Sequence, residues 1–232
     1  MESKCFDNAT SCSSENAAVI LERVHEPMLA ELVKAGGALL DSSEKRKLQA
    51  AMWPDGKLSP DIMARPVESI LKVAGIARKE LRGAKFLMVD ETGVGKDSPF
   101  SGEKLSLVLT VYKVPDFDAA FSLIKKIYAY QGAGHSVGIH TRNDARVMRL
   151  GLEMPAARVI VNQAHAIANG GAYDNGLPFS LSMGCGTWGR NSISENMNYR
   201  HYLNITCIVR TIPARVPTED EIFGRYFARH GR

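Results

Sequence analysis

Short apolar runs recur along the chain, and each is too short to form a helix. They fall at residues 17–21, 86–89, 107–112 and 159–161. Runs that are almost entirely apolar, without a polar residue at alternate positions, are typical of strands that a parallel sheet buries on both faces. The pattern therefore predicts an open, largely parallel sheet.

Between these runs, apolar residues return every three or four positions and predict helices. The clearest helix begins at Asp116, its expected N-cap, and carries one apolar face formed by Phe117, Ala120, Phe121, Ile124, Ile127 and Tyr128. Pro27 is expected to open an earlier helix, and Ser42 or Ser43 to cap the next one. Residues 132–136 are expected to form a tight turn. Strands that alternate with helices in this way indicate an α/β fold, with helices flanking the sheet.

The C-terminal part of the chain follows a different pattern. Residues 202–212 alternate between apolar and polar, which is the longest strand signal in the sequence, and Pro213 ends it. A terminal helix is predicted after Thr218, with Glu221 completing a capping box. Because this alternation comes after the main α/β run, we expect the strand to leave the core sheet and to serve in oligomerisation.

Composition and charge exclude several classes of protein. The 232 residues are 45% hydrophobic, but no apolar run approaches the ~18 residues of a membrane span. No apolar signal segment stands at the N-terminus, so no secretion is predicted. The net charge is +4 with scattered basic residues, and the short run 45–47 is interpreted as a solvated helix face. We therefore expect neither a membrane nor a nucleic-acid partner.

The cysteines bound the redox environment and the metal chemistry. Four are present, Cys5, Cys12, Cys185 and Cys207, and none has the spacing Cys-x-x-Cys. That argues against a zinc site and against a disulfide scaffold. It favours a reducing compartment, and we predict a cytoplasmic protein without a bound metal.

Two glycine-rich stretches resemble nucleotide loops but do not fit them. In residues 91–96 the first glycine of a phosphate loop is missing, since Asp90 occupies its position, and Asp97 replaces the hydroxyl residue. Residues 184–189 match Gly-x-Gly-x-x-Gly, but a polar stretch follows where an apolar helix is needed, and Trp188 would crowd a pyrophosphate. Neither stretch is predicted to bind a dinucleotide.

Cys12 is the strongest candidate for chemistry. It lies among small polar residues in the stretch 6–16, and an apolar run follows at once. A nucleophilic thiol needs such a setting, with little steric cover and with backbone N–H groups free to bind a developing anion. The alternatives are a buried structural cysteine at this position, or Cys185 as the nucleophile, since it lies in an equally small-residue setting.

Read together, the stretches 6–16, 100–109 and 178–196 resemble the catalytic half of an aldehyde dehydrogenase of the coenzyme-A-acylating branch. The resemblance covers almost the whole chain. It implies that Cys12 is the nucleophile and passes a thioester to coenzyme A. It also implies that Glu103 binds the nicotinamide ribose of NAD or NADP, with Leu105 against the ring. His135 follows a glycine as in acylating members, which makes it a candidate for a catalytic or acceptor-site role.

The same resemblance places Cys185, Thr187 and Arg190 in the glycine-rich loop at the substrate entrance. In the family, a dinucleotide-binding domain precedes the nucleophile and carries an oxyanion asparagine, and the sequence has no counterpart of it. We therefore expect an N-terminal dinucleotide-binding half to be missing and the chain to be inactive alone. What remains is divided into a nucleophile domain, 1–197, and a C-terminal strand and helix, 198–232, which the family uses for oligomer contacts.

The substrate is narrowed by two further stretches. Residues 7–12 and 198–201 look most like those of members that act on sulfoacetaldehyde, and Arg190 and Arg200 are candidate cations for its sulfonate. Acetaldehyde or another short-chain aldehyde is the alternative substrate. A different class of function also stays open, that of a truncated, non-catalytic assembly module. A homo-oligomer is expected in either case.

Overall fold

The computed structural model describes residues 1–232 and divides them into two compact units, Met1–Asn198 and Tyr199–Arg232. The first unit contains six strands: Ala17–Leu21 (β1), Gly37–Leu39 (β2), Phe86–Asp90 (β3), Val108–Val114 (β4), Gly134–Ile139 (β5) and Ala156–Val161 (β6). Its helices are Glu2–Cys5 (α1), Glu22–Lys34 (α2), Ser42–Met52 (α3), Val67–Val73 (α4), Phe117–Tyr130 (α5), Asp144–Glu153 (α6) and His165–Asn169 (α7).

The strands of the first unit form two parallel sheets. Four of them pair in the order β1-β4-β3-β2, and β5 and β6 form a separate pair. Strand β1 starts opposite Thr110 of β4, so the segment before β1 emerges at the N-terminal end of the sheet. The predicted α/β fold with a parallel sheet flanked by helices is confirmed. The division into two sheets and the three-residue strand β2 were not predicted.

One large hydrophobic core and one small one hold the unit together. The large core packs β3 and β4 against the helices, and its fully buried members include Leu48, Met52, Ile62, Ile70, Phe86, Leu87 and Met88. The small core joins α5 and α6 to β5 through Phe121, Val137, Leu150 and Met154. Burying each such side chain contributes about 1.5–3 kcal/mol.

No helix combines the length and the apolar character needed to cross a bilayer.

Two helix starts differ from the prediction. Helix α2 begins at Glu22, so Pro27 lies inside it and leaves the Arg23 carbonyl without its helical N–H donor. Helix α3 is capped by Asp41, whose Oδ1 accepts from the N–H of Glu44 at 2.9 Å. The Glu44 carboxylate accepts from the Asp41 N–H in return, at 3.0 Å. This reciprocal capping box needs an acidic residue three positions after the cap, and only Asp41 has one.

The second unit is mostly irregular. It contains a 3-10 turn, Tyr199–Tyr202, and helix α8, Glu219–His230, whose capping box between Thr218 and Glu221 was predicted. The strand predicted at 202–212 is not formed, and residues 203–218 carry neither helix nor strand. A strand needs a partner for its N–H and C=O groups, and the chain pairs none with this segment. Pairing with another copy therefore stays a prediction.

The central strand β3 gives a test of the core. Leu87 is fully buried in it, and Leu152 on α6 is 78% exposed. Leu87→Ala leaves a cavity beneath the sheet, so the free energy of unfolding should fall by about 2–5 kcal/mol in urea denaturation. Leu152→Ala is the matched control and should change it by less than about 0.5 kcal/mol. Equal, small losses in both variants would contradict this placement of the core.

Candidate functional site

Cys12 lies on an exposed turn between the 3-10 turn Phe6–Ala9 and β1. The backbone before it is strained, since Asp7, Asn8 and Ala9 have φ values of 48°, 50° and 60°. Left-handed backbone at three consecutive residues other than glycine persists only where the surroundings fix it, and such strain clusters at functional sites. Two contacts fix it here. The Asn8 amide donates to the Ala64 carbonyl at 3.2 Å, and Ala9 is buried in the large core.

The nucleophile segment, our name for residues 6–16 around Cys12, is also attached to the fold at both ends. Before it, the Ser3 hydroxyl accepts from the Ala166 N–H at 2.6 Å, which attaches α1 to α7. The buried Lys4 ammonium donates to the Glu15 carbonyl at 2.9 Å, and burial lowers the Lys4 pKa to about 8. At its end, Asn16 Oδ1 accepts from the Lys104 N–H at 3.0 Å. The turn that carries Cys12 is therefore held by other elements of the fold on both sides.

The immediate surroundings of the Cys12 thiol offer unused hydrogen-bonding groups. The Cys12 backbone N–H donates to no acceptor within the chain. The hydroxyls of Ser13 and Ser14 are buried and have no partner within the chain. A free N–H beside a nucleophile is the kind of donor that stabilises an oxyanion.

His135 is the side chain that contacts the thiol. Its Nε2 lies 3.1 Å from Cys12 Sγ, across 123 positions of sequence. The predicted turn at 132–136 is shorter than expected, and β5 already begins at Gly134, so His135 is held in a strand. Burial lowers the His135 pKa, and the positive charge of Arg158 lowers it further. The imidazole is therefore neutral at neutral pH and is able to accept a proton from the thiol.

Three further polar residues form a hydrogen-bonded group behind His135. The Ser136 hydroxyl lies 2.7 Å from His135 Nδ1 and 2.8 Å from Nε2 of His165, at the start of α7. The Asn169 amide, at the end of α7, donates to the same hydroxyl at 3.2 Å. Burial lowers the pKa of His165 to about 4, with His135 and His140 acting in the same direction and Glu15 opposing.

Sequence reasoning missed Ser136, His165 and Asn169 because α7 itself was not predicted. The available signal was the spacing of His165 and Asn169, four positions apart, which places both on one face of a helix. Their partner Ser136 directly follows His135 in β5. In an ideal strand, neighbouring side chains point to opposite faces, so the pattern predicts that these two do not meet. The close contact of neighbouring side chains was not readable from the sequence.

The glycine-rich loop lies directly against β5. A Cβ atom added to Gly134 would stand 2.4 Å from the Cys185 carbonyl oxygen and 2.5 Å from the Gly189 nitrogen. Gly134 also has a φ of 93°, so glycine is required there for two reasons. The half-buried Cys185 has its pKa raised by burial, against the effect of Arg158. It is therefore a protonated and weakly nucleophilic thiol at neutral pH.

Arg158 on β6 connects this loop to the sheet, and it too was missed from the sequence. The side chain is only 6% exposed, and it donates from Nε to Asn196 at 2.9 Å and from Nη1 to the Gly184 carbonyl at 3.0 Å. Burial lowers its pKa, and the Cys185 and Cys12 thiols act in the opposite direction. A guanidinium stays charged in proteins, so a fixed positive charge lies close to both thiols.

The other predicted residues have different positions. Glu103 is exposed and lines the same open cleft of about 1670 Å³ as Cys12 and His135. Its N–H donates to Gln131 Oε1 at 2.9 Å, which fixes the backbone. Leu105 is half-buried, with a φ of 41°, and does not line the cleft.

Thr187 and Arg190 are exposed on the glycine-rich loop, where Thr187–Gly189 form a 3-10 turn and Arg190 has a φ of 58°. Neither lines the cleft that Cys12 and His135 share. The structure contains no group of three or more His, Cys, Asp or Glu side chains arranged to hold a metal ion.

Two of the relatives found by sequence comparison share one kind of name, sulfoacetaldehyde dehydrogenase. No protein-family model matches the chain. Sulfoacetaldehyde dehydrogenase (acylating) of Cupriavidus necator is 54% identical over 230 residues, which are 99% of this chain and 47% of that protein. Sulfoacetaldehyde dehydrogenase of an Acholeplasma species is 38% identical over 229 residues, 97% of this chain and 47% of its own length.

Solved structures agree with these relatives. The crystal structure of an acetylating aldehyde dehydrogenase from Geobacillus thermoglucosidasius matches with a TM-score of 0.84 and 34% identity. The match covers 92% of this chain and 47% of that one. The chain thus spans about half the length of the relatives it matches.

His165 gives a test of the buried polar group. Its folded pKa of about 4 lies below the ordinary value of 6.5, so the unfolded chain binds the proton more readily. Stability that is fully present above pH 6.5 should decline as the pH falls towards 4, by on the order of 3 kcal/mol. His165→Gln should flatten this decline in urea titrations at a series of pH values, and the exposed His230→Gln should leave it unchanged. Plots of unfolding free energy against pH that stay parallel for the parent chain and both variants would contradict the assignment of the lowered pKa to His165.

Proposed function

We propose that this chain, a homologue of the acylating aldehyde dehydrogenases over about half their length, carries the thioester-forming site of such an enzyme. The observation that supports this most directly is the 3.1 Å contact between Cys12 Sγ and His135 Nε2. A nucleophile within hydrogen-bond reach of a neutral base is the arrangement that covalent catalysis requires. The identity with the Cupriavidus and Acholeplasma relatives supports the same assignment.

The first step follows from this contact. His135 Nε2 takes the proton of the Cys12 thiol, and the sulfur forms a bond to the carbonyl carbon of the aldehyde. The carbonyl π electrons move to the oxygen, and the Cys12 N–H, which has no acceptor within the chain, is the proposed donor to the negative charge. The product is the alkoxide of a hemithioacetal on Cys12, and the thiol proton on His135 passes to solvent before the second half of the reaction.

Conversion of the hemithioacetal to a thioester removes a hydride, and a bound NAD or NADP supplies the chemistry that accepts it. Glu103 suits the ribose of such a cofactor, because its exposed carboxylate lines the cleft and accepts from neighbouring hydroxyls. No pyrophosphate site is assigned to the chain, since neither glycine-rich stretch opens a helix of more than three residues. A dinucleotide-binding half outside these residues is therefore part of the proposal, and the chain alone is expected to be inactive in aldehyde oxidation.

The second nucleophile is proposed to be the thiol of coenzyme A. Its sulfur attacks the Cys12 thioester, the bond to Cys12 Sγ breaks, and acyl-coenzyme A leaves. His135, neutral again after losing the first proton, is the proposed base that takes the proton of the incoming thiol and returns it to Cys12. No water-activating base is needed, because the acceptor is a thiol.

Sulfoacetaldehyde is the proposed substrate, because two relatives carry that name. Its sulfonate needs a cation, and Arg190 is exposed on the loop that lies against Gly134, next to His135. Arg200 is the second candidate cation. Acetaldehyde or another short aldehyde is the alternative, supported by the acetylating enzyme among the solved structures.

A non-catalytic assembly module is the rival from another class. It is favoured by the exposed apolar side chains of the second unit, where Ile205 and Val209 are 77% and 89% exposed. A homo-oligomer and a cytoplasmic location complete the proposal, and all four cysteines are free, as a reducing compartment requires.

Acyl exchange tests the catalytic proposal on the chain itself. After incubation with an acyl-coenzyme A, mass spectrometry should find the acyl group on the Cys12 peptide. Cys12→Ser should reduce this labelling by at least about 10³-fold, because a hydroxyl is a far weaker nucleophile than a thiolate. Cys185→Ser is the matched control and should retain labelling within about threefold. Labelling that stays on Cys185 would make Cys185 the nucleophile, and absence of labelling from every protein would favour the assembly module.

Selectivity tests the substrate. In an enzyme completed with a dinucleotide-binding half, Arg190→Met should raise KM for sulfoacetaldehyde by about tenfold or more, because a charge-assisted contact is lost. KM for acetaldehyde should stay within about twofold, since that substrate has no anion. An equal effect on both aldehydes would remove Arg190 from sulfonate binding, and Arg200→Met would then be compared in the same assay.

A further inference from the structure

We propose that Ser136 is a positioning residue that selects the tautomer of His135 through a hydrogen-bond relay to His165. The proposal rests on the function proposed above, since it concerns the base that activates Cys12. The relay runs from Cys12 Sγ to His135 at 3.1 Å, from His135 Nδ1 to Ser136 Oγ at 2.7 Å, and from there to His165 Nε2 at 2.8 Å.

Asn169 restricts what the Ser136 hydroxyl is able to do. A hydroxyl donates one hydrogen bond and accepts two. The Asn169 amide donates to Ser136 Oγ at 3.2 Å and therefore occupies one acceptor position. The orientation of this amide is fixed, because Nδ2 also donates at 3.0 Å to the His165 carbonyl, which only accepts. Ser136 is left with one proton to give and one lone pair to offer, for two imidazole nitrogens.

Only two arrangements satisfy this group when both histidines are neutral. In the first, Ser136 donates to His165 Nε2 and accepts from the Nδ1–H of His135. His135 Nε2 then carries no proton and is free to accept the one on the Cys12 thiol. In the second, Ser136 donates to His135 Nδ1 and accepts from His165 Nε2–H. His135 Nε2 then already carries a proton and cannot act as a base.

In the first arrangement, His135 is able to accept the thiol proton without any rearrangement of the relay. When His135 takes the thiol proton, its Nδ1–H already donates to Ser136, so no other proton has to move. His165 contributes by staying neutral and by accepting at Nε2. Its ring is held against the backbone of β5, since a Cβ atom on Gly138 would stand 2.7 Å from His165 Nδ1. A neutral His165 is therefore required for the arrangement in which His135 presents an unprotonated Nε2 to Cys12, and Ser136 is the group that links the two rings.

The charged and titratable neighbours of the relay bear on its pH dependence. Cys12 and Arg158 face His135, and Arg158 disfavours the imidazolium. Glu15, His140 and His135 act on His165, the carboxylate favouring its protonation and the two histidines opposing it. Protonation of His165 would force its Nε2 to donate to Ser136 and so impose the second arrangement. Acidification therefore abolishes the base in two ways. It protonates His135 directly, and it protonates His165, which imposes the second arrangement.

The test uses the full chain and needs neither aldehyde nor nicotinamide. Alkylation of Cys12 by iodoacetamide is followed by peptide mapping between pH 5.5 and about 9. Nitrogen-15 NMR of the histidine rings reports the tautomer of His135. We expect Nδ1–H in the parent chain, and a mixed or Nε2–H tautomer with an alkylation rate at pH 7 lowered about tenfold in Ser136→Ala. Ser136→Thr keeps the hydroxyl and should restore both readouts to within about twofold.

The controls separate this inference from the proposed function. Ser59→Ala removes another buried serine hydroxyl, one that does not line the cleft, and should change neither readout. If His135→Ala leaves Cys12 alkylation unchanged, the base assigned in the proposed function is wrong. If His135→Ala slows alkylation but Ser136→Ala changes neither the rate nor the tautomer, only the relay is overturned. Should Ser136→Ala fail to fold, His165→Leu removes the acceptor of the Ser136 proton, and the same tautomer change is expected.

Discussion

The site depends on one contact, between Cys12 and His135, which lie next to β1 of one sheet and within β5 of the other. Cys12 precedes β1 of the four-stranded sheet, and His135 lies in β5 of the separate pair. Long-range bonds rather than local geometry maintain this contact. Ser3 attaches the chain just before the nucleophile segment to α7, and Asn16 attaches the end of that segment to the loop of Glu103.

The charges around the contact act in a common direction. Arg158 is fixed beside both thiols and disfavours a second positive charge on His135. The same charge favours negative charge on sulfur and on an oxyanion nearby. In the proposed reaction, a proton taken from Cys12 would therefore be held only weakly by His135, which suits a base that must pass its proton on.

The elements that could be predicted from the sequence are those that depend on neighbouring residues. The buried strands, the helix after Asp116 and the α8 capping box are set by neighbouring residues, and they were predicted. Strand β2 has only three residues and begins at a glycine, so its formation depends on its pairing with β3. Arg158 is a charged residue between apolar neighbours, and its burial follows from Asn196, 38 positions away. The strand predicted at 202–212 had a suitable pattern but no partner within the chain, and pattern alone does not supply one.

The close contact between Gly134 and the loop at Gly189 has a consequence for varying this loop by mutation. A Cβ atom on Gly189 would stand 2.3 Å from the Cys185 Cβ, so both sides of the contact exclude any side chain. Diversity introduced at these two glycines would yield mainly misfolded variants. Thr187 and Arg190 lie on the same loop, and their side chains are exposed. A combinatorial library of this loop would therefore keep Gly134 and Gly189 constant and randomise Thr187 and Arg190.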